Sequence, residues 1–202
     1  MHDLTREEEK LFRSLNSPAK IQDFLNTLTM RSDEREPIVR SPRAVIEKKS
    51  ASCVEGALFA YAVLHHHKHK AYLLDLRVDP HVHDVDHVVC LFKQDGLWGA
   101  ISKTSHAVLR YREPVYKTPR ELAMSYFHEY FTDDGHKTLR SFSKPFQIEA
   151  VAQKDWITTH EDLYEIAASL DAHPHIEILT KKQVRSLRPA DILERKAGKL
   201  KD

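Results

Sequence analysis

The chain has 202 residues, with 31 Lys+Arg against 30 Asp+Glu and 41% hydrophobic residues. This is the composition of an ordinary globular protein; it argues against disordered and membrane classes. A net charge of +1 offers no general attraction to nucleic acid.

The first ten residues hold no apolar stretch of the kind a signal peptide or anchor needs. The expectation is a cytoplasmic protein without membrane contact, in which Cys53 and Cys90 stay reduced instead of forming a disulfide. Apolar residues recur at helical spacing over residues 4–15 and 19–30, as in Leu11 with Leu15 and Ile21 with Leu25 and Leu28, so two opening helices are expected around Asn16-Ser17-Pro18. Ser41-Pro42 supplies an N-cap and a first-turn proline for a short segment through Ala44, Val45 and Ile46. From Cys53 to about His67, the residues Cys53, Gly56, Ala57, Ala60 and Leu64 put mostly small side chains on one helical face, which lets the helix lie close to a sheet.

The period then changes. Residues 71–78 and 86–92 read as strands, and Asp95-Gly96 turns the second into Leu97-Trp98-Gly99-Ala100-Ile101-Ser102, giving three antiparallel strands of which the last two form a hairpin. Pro119 opens a helix through Leu122, Met124, Tyr126, Phe127 and Tyr130, stopped by Asp134-Gly135. Beyond it come an expected strand at 146–151, a helix at 160–170, a short strand at 176–179, a charged helical end, and a frayed tail over 197–202. The order predicts an α+β fold with a helical segment at 1–40, a core at 41–135 in which a central helix packs on an antiparallel sheet, and a C-terminal α/β extension with its tail at 136–202. No internal repeat interrupts it.

Cys53 opens its helix behind the cap-competent Ser50 and Ser52. There the first amides have no helical partner and the dipole favours negative charge, an environment that lowers a thiol's pKa and offers donors to an oxyanion. His87 alternates with Val89 and Leu91 on a strand, and the apolar face they share is expected to look toward the helix, as a base beside a thiol requires.

The order of a cysteine at a helix start, a histidine on a strand and a tryptophan-bearing strand resembles the transglutaminase-like superfamily. The matching stretches are Ala51-Ser52-Cys53-Val54-Glu55-Gly56-Ala57, Asp86-His87-Val88-Val89 and Gly96-Leu97-Trp98-Gly99-Ala100-Ile101-Ser102. They lie within residues 40–131, about half of the chain. The resemblance implies a papain-like fold and a Cys-His-Asp triad for acyl transfer or amide hydrolysis, without a metal in the chemical step. Here Ser102 stands where that family carries the acid. The expected site is therefore Cys53 as nucleophile, His87 as base and Ser102 as the residue that sets the ring's tautomer without supplying charge. The expected activity is a cysteine-dependent hydrolase or acyltransferase acting on a peptide, protein or small amide or ester, with no cofactor. The alternative is a binding or scaffold protein that keeps the fold and has lost efficient catalysis.

Each residue also has a plainer use. The plainer use of Cys53 is as a small side chain at a helix–sheet contact, and that of His87 as a core imidazole bonded to a carbonyl. Cys90, on the strand face opposite His87, is core packing. His65-His66-His67-Lys68-His69 and His81-Val82-His83-Asp84 contain metal-ligand chemistry, but consecutive residues diverge and a helix C-terminus favours such side chains, so no metal is assigned. The run Leu109-Arg110-Tyr111-Arg112-Glu113-Pro114-Val115-Tyr116 either lines a cleft or forms an exposed Arg-Glu surface. Asp84 and Asp86 are poor substitutes for the missing acid, because Asp86 projects from the strand face opposite His87.

Overall fold

The computed structural model describes residues 3–31 and 38–199; the last part of the expected tail, residues 200–202, lies outside them. Thr5 caps α1 (Arg6–Ser14) in a reciprocal box with Glu8, and Ser17 with Pro18 opens α2 (Pro18–Asn26). This second helix stops at Asn26, short of the expected residue 30. The Thr27 hydroxyl bonds back to Phe24 O, and the chain continues into the short strand β1 (Thr29–Met30). Ser41 caps α3 (Pro42–Lys48), which closes at Lys49 with φ 51°, and β2 (Ser50–Ala51) pairs in parallel with β1. A capped turn then starts α4 (Cys53–His66).

Three strands follow as β3 (Ala71–Val78), β4 (His87–Gln94) and β5 (Leu97–Ile101). Asp95 and Gly96 join the last two with φ of 51° and 82°, the paired left-handed geometry that suits a two-residue hairpin. The chain then forms β6 (Arg112–Tyr116), α5 (Pro119–Phe127), β7 (Leu139–Ser143), α6 (Tyr164–Asp171), β8 (His175–Glu177), α7 (Lys181–Arg185) and α8 (Ile192–Gly198). The fold is mixed α+β, as the element pattern predicts. The main sheet has six strands in the order β6-β5-β4-β3-β7-β8, every neighbouring pair antiparallel.

Three expectations are corrected. Ala197 and Gly198, expected in the frayed tail, form the end of α8. The strand expected at 146–151 is a 3-10 turn at Ile148–Ala150, and Phe146 pairs with the sheet through an isolated bridge to Leu73. The strand in this region is β7, whose Ser141 and Ser143 are buried polar residues that hide the apolar alternation; Ser143 Oγ accepts from Asp75 N. The helix expected to reach Tyr130 ends at Phe127.

The sheet has two buried faces. Leu73, Cys90, Phe92 and Ile101 pack on α4 together with α1, α2 and α3, while Leu74, Leu76, Val89 and Leu91 pack on α5. From Val54 to Leu64 every residue of α4 is buried, the carboxylate of Glu55 among otherwise mostly apolar side chains. Gly56 permits the closest approach, since a Cβ there would lie 2.3 Å from Lys103 Cβ.

Candidate active site

Cys53 is the first residue of α4. Ser52 Oγ accepts from Glu55 N, and the Glu55 carboxylate accepts from Ser52 N at 2.8 Å. Glu55 is fully buried, and its charge is met by the Arg31 guanidinium at 2.7 Å and by Arg40 N at 2.9 Å. The turn that carries the thiol is thus fixed on both sides. The first amide to bond within the helix is that of Gly56, which donates to Ser52 O, so the Cys53 and Val54 amides precede the helical ladder.

His87 begins β4 directly opposite Leu76 on β3, and therefore lies on the face of Val89 and Leu91. Here the structure corrects the expected route to the thiol. That face packs on α5, and α4 lies on the other face with Cys90, because side chains alternate along the strand. The two groups do not face each other across the helix–sheet interface. They reach the same place from the ends of their elements: Cys53 and His87 both line one cleft of about 450 Å³, beside Tyr130, His106 and Leu109.

The imidazole's outer bonds define its proton. His87 Nε2 lies 2.7 Å from Ser102 Oγ, and that hydroxyl donates to Leu109 O at 2.9 Å. A serine has one hydroxyl proton, and the carbonyl can only accept. Both contacts are satisfied when Nε2–H donates to Ser102, which leaves the lone pair on Nδ1. Ser102 is held in turn by Gln22 of α2, whose Oε1 accepts from Ser102 N at 2.9 Å and whose Nε2 donates to Ser102 O at 2.8 Å. Neither Asp84 nor Asp86 supplies the missing acid: Asp84 accepts from the Thr138 hydroxyl, and Asp86 accepts from Val78 N.

Burial first, then the neighbouring His106 and Arg112, pushes the His87 pKa down to about 4. The ring is therefore neutral at physiological pH. Tyr130 lines the same cleft and donates to Val85 O at 2.6 Å; burial first, then Asp84 and Cys53, holds its phenol protonated.

Asp84 and Asp86 line the cleft as well, and several of the other candidates lie away from it. His67 Nε2 contacts Phe12 O at 2.8 Å, and the His66 ring stands edge-on to Phe12, so this part of the histidine run packs onto α1. In the run after β5, Arg112 lies over the Tyr126 ring and donates to Val108 O and Ser125 Oγ, while Leu109 reaches the cleft. Cys90 is fully buried, and burial raises its thiol pKa far above the ordinary range.

Among the described residues, the carboxylates that converge closely enough to suggest a cation are Asp75, Asp86 and Asp171. The Arg77 guanidinium already stands among them, 2.6 Å from Asp171, 3.8 Å from Asp75 and 4.0 Å from Asp86. Gln22, Glu55 and Tyr130 were not singled out for the site from sequence. Of these only Glu55 had a local signal, the Ser52-Cys53-Val54-Glu55 capping pattern. No model of a known protein family matches the chain, and no curated protein matches it significantly.

Proposed function

We propose that the chain is a cysteine-dependent hydrolase or acyltransferase of transglutaminase-like, papain-like type, acting on an amide or ester of a peptide, protein or small molecule. The observation that carries the reading is the relay from His87 Nε2 through Ser102 Oγ to Leu109 O, which leaves Nδ1 as the basic atom of a ring lining the Cys53 cleft. In this reading Cys53 Sγ loses its proton to His87 Nδ1 and attacks the carbonyl carbon. The amides at the start of α4 receive the oxyanion, and the imidazolium returns its proton to the leaving nitrogen or oxygen as the acyl-thioester forms. Water or an amine then attacks the thioester while His87 takes the incoming proton, the C–S bond breaks, and the imidazolium returns that proton to Cys53 Sγ.

The test is labelling by a thiol-directed probe that mimics an amide. Labelling at Cys53 that disappears in a folded Cys53→Ala variant supports the reading, and equal labelling of the variant removes it.

One observation favours a second reading, a binding or scaffold protein with weakened catalysis. The Ser102 hydroxyl stands where a carboxylate would and supplies no charge to offset the burial that disfavours the imidazolium. Ser102→Asp separates the two. A gain in the rate of Cys53 acylation supports a weakened enzyme, whereas a folded variant with no gain supports the scaffold.

A further inference from the structure

The C-terminal helix α8 builds part of the cleft wall, with Arg195, Gly198 and the following Lys199 lining the space shared by Cys53 and His87. Its attachment is slight. None of its residues is buried, whereas α4 is buried along nearly its whole length. Arg195 donates to Asp133 O at 3.2 Å, and Lys199 Nζ lies 3.4 Å from Asp133 Oδ1, both carried by side chains with solvent access. Gly198 O lies 3.4 Å from His106 Nδ1, a long contact.

Seating is tight at two points, Gly198 and Gly135, where a Cβ on Gly135 would stand 2.7 Å from Ala190 O and 3.3 Å from Arg195 Cδ. A Cβ on Gly198 would stand 2.7 Å from Phe131 Cζ, so the backbone of the last turn lies directly on that ring. The segment enters through Ala190, whose N–H donates to Gly135 O at 2.9 Å, and Asp191 caps the new helix in a reciprocal box with Glu194. The first turn of the helix is thus closed by its own local bonds, and Arg188-Pro189-Ala190 joins it to the rest of the chain.

We propose that α8 is a strap over the Cys53 cleft: seated, with Gly198 on Phe131 and Arg195 and Lys199 on Asp133, it narrows the approach to the thiol, and released, it admits a substrate chain. The proposal rests on the reading of this cleft as the reactive site. It gives the C-terminal segment a regulatory role there, since any partner or condition that draws off α8 opens the cleft.

Two changes release the strap by different routes. Gly198→Val sets a branched side chain against the Phe131 ring in the intact chain, and a chain ending at Ala190 removes the helix. The readout is the alkylation rate of Cys53, located by peptide mass spectrometry, with iodoacetamide as a small reagent and a polyethylene-glycol maleimide as a bulky one. The bulky reagent is expected to gain roughly tenfold in both variants while the small one changes less than about twofold. A ratio of the two rates unchanged in both variants, with circular dichroism showing both folded, overturns the strap. If only the shortened chain unfolds, the Gly198→Val ratio decides alone.

The readout is access to the sulfur and not turnover. A chain that passes this test and acylates no amide keeps the strap and loses the enzymatic reading; the reverse outcome loses the strap only.

Discussion

Acid should weaken this fold through His87, and the size of the effect follows from its surroundings. The imidazole is 5% exposed and its pKa is held at about 4 by burial, whereas an unfolded chain titrates near the ordinary 6.5. The unfolded state therefore binds the proton first. Stability associated with a neutral His87 is present above about pH 6.5 and is lost as the pH falls toward 4. At about pH 5 the shift corresponds to roughly 2 kcal/mol, and below pH 4 to about 3 kcal/mol, at ~1.4 kcal/mol per pKa unit. The wild-type profile alone does not isolate this. Burial and the neighbouring Asp86 carboxylate push the Asp75 pKa upward, so the folded protein takes up that proton first and Asp75 gains stability over part of the same range.

His87→Gln keeps an N–H donor for Ser102 and removes the titration, and the Asp75 contribution cancels between the two proteins. Urea unfolding at about pH 7.5 and about pH 5 should show the wild type losing roughly 2 kcal/mol more than His87→Gln. A difference below about 0.5 kcal/mol would refute the claim that the imidazole is kept neutral by burial.

Two further perturbations probe the same construction. Ser102→Ala leaves the His87 Nε2–H and the Leu109 carbonyl without partners in a buried site, and should cost about 2–4 kcal/mol in urea unfolding. Nitrogen chemical shifts of His87 should show the Nε2–H tautomer of the wild type giving way to a mixture; an unshifted ring would contradict the relay. Gly56→Ala gains roughly 1 kcal/mol in helix propensity but drives a methyl into Lys103 Cβ, so a net loss of about 1–2 kcal/mol is expected by thermal unfolding. An increase in Tm would show that α4 has room to retreat from residue 103.

Much of the core was legible because its signals are local. The Ser41-Pro42 start, the opening of α4 at Cys53, the limits of β3 and the Asp95-Gly96 turn each depend on a few adjacent residues, and each stands where those residues place it. Strand alternation put His87 on the side of Val89 and Leu91 and Cys90 on the other. It did not say which face the helix would choose, since both are apolar, and the helix took the side of Cys90. The rest of the site depends on chain segments far apart. Gln22 reaches Ser102 across 80 positions, and the Leu109 carbonyl is a backbone group with no mark in the sequence. β7 is hidden in the sequence because its buried serines resemble solvent-facing ones, although Ser143 Oγ accepts from Asp75 N.

The grip of Gln22 on Ser102 has a consequence for dynamics. A primary amide that accepts the N–H and donates to the C=O of one residue imitates a neighbouring peptide group, so Ser102, one step past the end of β5, behaves as though one more rung had been added to the ladder. Its amide hydrogen should exchange with solvent as slowly as those of the strand interior. The support of the imidazole is thereby tied to the cooperative unfolding of the domain, through α2, a helix 80 positions away in sequence.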